Sequence, residues 1–483
     1  MSTYPELQSQ FFQQKISTVF TREFARCHQE TSISDTVKLM SQLSSSSILI
    51  SEDSGELIGI LTDKDLRCRV IAKEHDLQAP VREVMSSPLI RIDQEEPVFE
   101  AFWLMVNHNV KHLGVTDEQQ QLIGMVSYHK LLLAQGQSPY YLLQEIRSAQ
   151  NIENISRLQK KISPLIKALL ESATPVENIN RLVTLFSDTI LQRIIQLSIE
   201  KQGEPPVEFT FMTMGSEGRK EQTLKTDQDN ALLFKDPPVE KLPQAMEYFQ
   251  NLGKLICEGL DHVGYDYCSG DVMAQNPNWC QPLSGWKQHF SSWITTPEPM
   301  AVMQSTIFFD FRAAFGSIDL IDSLKEYLLE LLQERSDLFF YHLAKDALKS
   351  KPPLNWFGRF SLELHDGGKK LDLKKAMTPI VDLARIYALQ NQIKAVNTHN
   401  RLHQLFQKGQ FEEVEYQELL EAYQFLMRLR LENQIRCISQ NKPPNNFIDP
   451  KQISLMDQRI LKEALAVVKK YQLRIKLRFI PYE

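Results

Sequence analysis

Cysteine chemistry is scarce in this sequence. Its six cysteines, at positions 27, 68, 257, 268, 280 and 437 of 483, show no Cys-x-x-Cys spacing. That pattern indicates neither a zinc site nor a disulfide framework, and a reduced, cytoplasmic protein is expected. Long apolar runs are missing as well. No stretch reaches the roughly 18 consecutive apolar residues of a membrane-spanning helix, and the opening MSTYPELQSQFF lacks the basic and apolar regions of a secretory signal. Positive charge is not in excess: 54 Lys and Arg stand against 60 Asp and Glu, a formal net charge of −6. A general nucleic-acid binder would show a basic face, so neither nucleic acid nor membrane is expected as a partner. Local basic runs such as Lys469-Lys470 and Arg474 to Arg478 read as solvated helix faces. What remains is an ordinary globular composition, 42% hydrophobic and 24% charged, in a chain long enough for two to four domains.

The first 140 residues repeat with a period of 65. Leu39-Met40 recurs as Leu104-Met105, Ile48 as Leu113, Ile50 as Val115, and Leu57-Ile58-Gly59 returns unchanged as Leu122-Ile123-Gly124. Each copy reads as a helix, two short strands about a polar turn, and a second helix, with Val81 to Ile92 as the connection. His108 and His112 share a helical spacing of four, but nothing else converges on them and they read as ordinary packed or exposed histidines. The repeat resembles a tandem pair of CBS domains, a family that binds adenosine-containing ligands between its two copies and commonly holds the ribose with Asp in Gly-x-x-Thr-x-x-Asp. The first copy keeps that run as Gly59, Thr62 and Asp65; the second has Gly124, Ser127 and Lys130. A lysine cannot accept the ribose hydroxyl hydrogen bonds, so the resemblance implies one adenine-nucleotide site, at Thr62 and Asp65, and a possible homodimer through the pair.

The stretch around which the chain is organised is Phe209 to Phe234, FTFMTMGSEGRKEQTLKTDQDNALLF. An apolar strand breaks at Gly215-Ser216, and a charged segment leads to Asp227-Gln228-Asp229 ahead of a second apolar strand. Residues two apart in a strand share a face, which sets the Asp227 and Asp229 carboxylates side by side. Paired carboxylates suit Mg²⁺, a hard cation that shares its oxygen ligands with substrate phosphates. A Gly-Ser turn lets backbone N–H groups approach a phosphate. This string resembles the DNA polymerase β-type nucleotidyltransferase superfamily, in particular the branch of the PII-protein uridylyltransferases and the nucleotidyltransferase domains found downstream of paired CBS domains in bacteria.

The resemblance implies a mixed-sheet catalytic domain in which Asp227 and Asp229 hold Mg²⁺, Gly215, Ser216 and Arg219 bind the nucleotide phosphates, and a third carboxylate on a later strand lies near the attacking hydroxyl. Two residues compete for that place. Asp271, just after the helix expected over about 239–263, is favoured on chain order. Asp310, inside the apolar run IFFDFR, demands a partner such as Arg312 or a metal. Leu283, Trp286, Phe290 and Trp293 form a helical stripe that reads as core.

Upstream, 138–202 reads as helix, with a start marked by Pro175 and a stop at Gly203. Downstream, from about Ile318, the chain reads as helical to its end, broken at Pro352-Pro353, Gly367-Gly368, Gly409 and Pro443-Pro444. Thr378 is expected as an N-cap with Pro379 at the first helical position. This region resembles the helical domain that follows the catalytic domain in the family, where Arg359, Lys369, Lys370 and Lys374 are available to a triphosphate or an acidic partner. His365-Asp366 runs straight into Gly-Gly-Lys-Lys and reads as a turn, which rejects the metal-dependent hydrolase domain of the true uridylyltransferases.

The expected architecture is an α/β and α+β multidomain chain: a CBS pair at 1–140, a linker and nucleotidyltransferase domain at 141–317, and a helical domain at 318–483. The expected function is Mg²⁺-dependent transfer of a nucleoside monophosphate to a hydroxyl acceptor, which the resemblance implies to be on a signalling protein, under adenine-nucleotide control. A catalytically silent nucleotide sensor is the alternative.

Overall fold

The computed structural model describes residues 14–43, 45–128, 131, 139–171, 174–225, 227–297, 306–334, 337–355, 358–365 and 368–480. Lys130 and Asp366 lie outside them. Two compact units result, one of 1–140 with 171–174 and one of 141–170 with 175–483.

In the first unit β1 (Arg26–His28), α1 (Ile33–Gln42), β2 (Ser47–Ser51) and β3 (Leu57–Thr62) form one copy, and β4 (Arg91–Asp93), α2 (Val98–Asn107), β5 (His112–Thr116) and β6 (Leu122–Ser127) form the other. The starts at 26, 33, 47 and 57 recur at 91, 98, 112 and 122, a constant offset of 65. Both sheets pair parallel and then antiparallel, in the orders β1-β2-β3 and β4-β5-β6. The leading strands β1 and β4 are additions to the sequence reading. Ile33, Met40, Ile48, Ile50 and Leu61 make the core of the first copy, and Ser32 caps α1 by accepting from the Asp35 N–H at 3.1 Å.

The copies exchange segments. Ser86 pairs with Ile60 of β3, while Thr21, 65 residues before it, pairs with Met125 of β6. This exchange explains the unchanged Leu-Ile-Gly. A Cβ on Gly59 would meet Met85 Sδ at 2.7 Å, and one on Gly124 would overlap the Phe20 ring.

The second unit begins with short helices and then α3 (Val176–Gln202), which Gly203 ends at φ 98°. By length and composition α3 is apolar enough to cross a membrane, but its Leu182, Phe186, Ile190 and Ile194 are buried in the fold. The sheet is mixed, as expected. β7 (Phe209–Thr213) and β8 (Asn230–Phe234) are antiparallel neighbours at its centre, each of their residues buried. α4 (Leu242–Val263) packs on α3 and β8, stacking Phe249 on Phe234 at 4.5 Å. β9 (Cys280–Pro282) runs parallel to β8, and α5 (Leu283–Thr295) follows it. β10 (Arg312–Gly316) closes the sheet against β7, giving the order β10-β7-β8-β9. The α5 stripe is core, with Trp286 donating its indole N–H to the Leu232 carbonyl at 2.9 Å.

Next come α6 (Ile318–Glu334), α7 (Asp337–Ala347), β11 (Glu363–His365), β12 (Gly368–Asp372), α8 (Leu373–Gln390), α9 (Thr398–Gln407), α10 (Glu413–Ser439), β13 (Phe447–Ile448) and α11 (Leu455–Phe479). Two expectations are corrected here. The region is not helical throughout, because β11, β12 and β13 form a small antiparallel sheet. Thr378 and Pro379 do not start a helix. Asp372 is the N-cap, accepting from the Lys374 and Lys375 N–H groups at 2.9 and 3.2 Å, and Pro379 lies inside α8. The carboxylate captures two of the otherwise unpaired first-turn donors, so the helix begins a turn and a half earlier. α8 is buried on nearly every side, from Ala376 to Leu389, and is the axis of the bundle.

Candidate nucleotide site

β7 ends at Thr213, and Met214 after it donates its N–H to the Asp229 carbonyl at 2.8 Å. The next residue, Gly215, has φ 56°, and a Cβ on it would stand 2.9 Å from Asp229 Oδ2 and 3.1 Å from Ile307 Cγ1. Glycine is therefore required both by the backbone and by the carboxylate against it. A single helical turn, Gly215–Gly218, follows. A Cβ on Gly218 would collide with the Asp310 carbonyl. Backbone cannot yield as a side chain can, and Gly218→Ala is expected to destabilise the second unit by about 1–3 kcal/mol, read as a lower unfolding midpoint.

Gln228 sets the direction of the carboxylates. It is 1% exposed, and its amide donates to the Cys257 and Tyr265 carbonyls at 3.1 and 2.9 Å. With Gln228 turned inward, alternation along extended chain puts Asp227 and Asp229 together on the other side. The regular strand begins one residue after Asp229, and Asp227 bridges to Asp266. Asp229 lines a cavity of about 300 Å³, together with Gly215, Ser216, Arg219 and Glu221 from the strand-end loop. α8 supplies Lys374, Thr378, Asp382 and Arg385 to its walls, α10 supplies Tyr423, Met427 and Arg430, and Asp346 and Lys349 come from the end of α7 and the turn after it.

Burial pushes the Asp229 carboxyl up to about 6, with Asp227 adding to the shift while Cys268, Lys374 and Arg219 oppose it. Glu217, behind the loop, is pushed up to about 8 by burial and by the Asp229 and Asp188 charges. Among the described residues no three His, Cys, Asp or Glu side chains gather to enclose a metal. The hard oxygen pair of Asp227 and Asp229 fits a cation such as Mg²⁺, which completes its shell with water and phosphate.

Arg219 lines the cavity but is already engaged. Its Nε donates to Glu221 Oε2 at 2.8 Å and its Nη1 to Asp310 Oδ2 at 2.6 Å. Asp310, 0% exposed, also accepts from Arg385 Nη2 and Arg401 Nη1, each at 2.6 Å. Burial alone would raise its pKa, but the three guanidinium groups outweigh that and hold the carboxyl far below the usual range. The partner of Asp310 is thus not Arg312, which instead bonds Asp188 at 2.6 Å and the Glu217 carbonyl at 3.1 Å. Asp310 precedes β10 and faces the bundle, where arginines from α8 and α9 converge.

Asp271 sits on an exposed turn at φ 53°, its carboxylate accepting from Asn276 Nδ2 at 2.9 Å, and does not line the cavity. Cys268, whose carbonyl accepts the Asp271 N–H at 3.0 Å, connects that turn to Asp229. Of the four cations considered from sequence, Lys374 reaches the cavity while Arg359, Lys369 and Lys370 do not. Arg430, Tyr423, Asp382 and Asp346 were not anticipated. The one local signal was Arg430 set between Leu429 and Leu431, in a stretch that also carries Arg428. α10 also pins the segment before Asp227: Gln434 accepts from the Leu224 N–H at 2.9 Å and donates to Thr223 Oγ1 at 3.0 Å.

In the first unit Asp65 is 7% exposed. Its Oδ2 accepts from the Thr62 N–H and hydroxyl at 3.0 and 2.6 Å, and its Oδ1 from Ser86 at 3.0 Å. A ribose would have to exchange with these partners. Lys130, the counterpart of Asp65, is outside the described residues.

A mixed-sheet strand–turn–strand with Gly-Ser facing Asp-x-Asp, backed by a helical bundle, defines a nucleotidyltransferase-type domain carried with a CBS pair. A family model described as Putative nucleotidyltransferase DUF294 matches residues 160–300, one described as Putative nucleotidyltransferase substrate binding domain matches 337–479, and the CBS domain model matches 16–71 and 81–136. The chain belongs to this CBS-domain-containing nucleotidyltransferase family. It is 32% identical over 120 residues to the CBS domain-containing protein YhcV of Bacillus subtilis (strain 168), covering 84% of that protein and 25% of this chain. Similar solved structures include a CBS domain protein of Pyrobaculum aerophilum complexed with AMP, at 18% identity and a TM-score of 0.24, covering 27% of this chain and 96% of that one. Another is an uncharacterized conserved protein of Pyrococcus horikoshii, at 25% identity and a TM-score of 0.25, covering 26% and 92%.

Proposed function

We propose that this chain transfers a nucleoside monophosphate from a nucleoside triphosphate to a hydroxyl acceptor, in the manner of a protein uridylyltransferase, and that adenine nucleotide at the CBS pair regulates it. The observation that carries this reading is the contact of Gly215 with Asp229 at the wall of one cavity, which joins a phosphate-approaching turn to a metal-type carboxylate. Mg²⁺, when bound, would be held by Asp227 and Asp229 and would neutralise triphosphate charge. The Gly215-Ser216 turn orients the phosphates, and Arg219, fixed by Glu221 and Asp310, presents a positive wall. The acceptor oxygen bonds to the α-phosphorus, the bond to the bridging oxygen breaks, and pyrophosphate leaves. Asp271 is assigned to take the hydroxyl proton, a role that the neighbouring Asn276 amide is placed to orient. The exposed position of Asp271 is what favours the second reading, a nucleotide sensor without chemistry. Asp271→Asn tests that role: transfer should fail while nucleotide still binds, and full transfer in that variant removes Asp271 from the mechanism. The test of the function itself is release of pyrophosphate from a nucleoside triphosphate.

For regulation, Asp65→Ala in the full chain is expected to abolish AMP binding measured calorimetrically in EDTA and to remove the effector response. AMP binding that survives the substitution would move the regulatory site elsewhere. The coupling between effector and substrate is expected at about 1–3 kcal/mol.

A further inference from the structure

Of the five cations lining the cavity, three are already matched by carboxylates. Arg219 is paired with Glu221 and Asp310, Arg385 with Asp310 and Asp382, and Lys349 with Asp346. Lys374 and Arg430 have no carboxylate within ion-pair distance among the described residues. Arg430 is only 7% exposed. Its Nε donates to Asn446 Oδ1 at 2.7 Å, a neutral acceptor that Gln434 Nε2 shares at 3.0 Å. Its two terminal nitrogens are left without an acceptor among the described residues. A largely buried guanidinium that turns its terminal nitrogens to a cavity, with the Asp372 and Glu221 charges only beyond ion-pair distance, is an expensive arrangement unless a ligand supplies an anion. Tyr423 stands two turns earlier on the same face of α10 and is 7% exposed; its buried hydroxyl lies beside the Glu221 carboxylate without good hydrogen-bond geometry to it. The same Glu221 carboxylate accepts from Arg219 Nε at 2.8 Å and from the Thr398 N–H at 2.5 Å, so it is shared among three donors.

We propose that Arg430, with Lys374 and Tyr423, forms an anion subsite for a diphosphate group, namely the β- and γ-phosphates of the nucleoside triphosphate and the pyrophosphate left after cleavage. This rests on the reading of the cavity as a nucleotide site. A diphosphate matches what is offered. The planar guanidinium donates two parallel hydrogen bonds to phosphate oxygens, the phenol donates a third, and the lysine adds a second positive charge from α8. Asp229 lines the same cavity from the strand ends and Arg430 from α10, with Lys374 acting on the Asp229 carboxylate, so the leaving diphosphate is assigned toward the helical bundle and the transferred phosphate toward the strand ends. The C-terminal bundle thereby grips the nucleotide.

The test is calorimetric titration of the full-length protein with inorganic pyrophosphate in EDTA, with UTP and UMP as further arms; uridine nucleotides avoid the adenine preference expected of the CBS pair. Wild type should bind pyrophosphate and UTP more tightly than UMP. Arg430→Gln should weaken pyrophosphate at least tenfold, Arg430→Lys less, and Asp229→Asn not at all, since no metal is present. Unchanged affinity in a folded Arg430→Gln protein overturns the proposal. If that variant does not fold, Tyr423→Phe decides, because it removes a single hydroxyl and keeps the ring: a loss of threefold or more supports the subsite and no loss overturns it. Arg430-dependent pyrophosphate binding without any transfer would leave the subsite standing and remove the transferase reading. Transfer with a KM for UTP indifferent to Arg430→Gln would do the reverse.

Discussion

Asp310→Asn is expected to lower the stability of the second unit by about 3–5 kcal/mol, the effect of removing one partner from a buried ion pair, and its unfolding midpoint by on the order of 10 °C. One neutral amide would then face Arg219, Arg385 and Arg401, all of which are nine-tenths or more buried or nearly so around a carboxylate that is 0% exposed. Arg401→Met should do less harm, because Asp310 keeps two guanidinium partners. The pH dependence has a definite sign. The folded carboxyl titrates far below its usual 3.8, so its contribution is complete above that value and is lost as pH falls below it. Wild type should therefore lose stability below about pH 4, and Asp310→Asn should lack that part of the slope. An Asp310→Asn protein as stable as wild type across this range would show that the three arginines do not depend on it.

Asp227→Asn and Asp229→Asn are each expected to lower nucleotidyl transfer by at least roughly a hundredfold, the scale of losing a main electrostatic stabiliser. Neither should reduce stability much. Asp229 is held near 6, above its ordinary value, by burial and by Asp227, so it is strained toward the neutral form, and Asp229→Asn removes that strain above pH 6. Transfer rates close to wild type in either variant would remove the pair from the mechanism. The same shift predicts that Mg²⁺ affinity declines as pH falls through about 6, because a proton then competes for Asp229.

The parts of this molecule legible in its sequence are those fixed by neighbours along the chain. Asp227 and Asp229 fall on one side because alternation is a local property, and Gln228 enforces it with two carbonyl contacts. The CBS repeat was legible because every element recurs at 65 residues, although β1 and β4, three residues each, were too short to stand out. The partners of Asp310 could not be read. Arg219 lies 91 residues before it, Arg385 and Arg401 lie 75 and 91 after, and only the packing of α8 and α9 on the strand ends brings them together. Arg312, two residues away, was the nearer guess and belongs to Asp188 instead. The diphosphate subsite was hidden for the same reason: Arg430 looks like one charge in an amphipathic helix until the fold buries it. Pro379 misled in the opposite direction, since a proline that often begins helices is here carried inside one that Asp372 had already capped.

Nucleotidyl transfer is measured most directly on full-length protein with each α-phosphate-labelled nucleoside triphosphate, Mg²⁺ and cell lysate as the source of acceptor. Pyrophosphate release with stoichiometric transfer of label to a protein is expected for at least one nucleotide, and loss of both in Asp229→Asn. Binding of nucleoside triphosphate in the cavity with neither pyrophosphate release nor transferred label, for all four nucleotides, would contradict it.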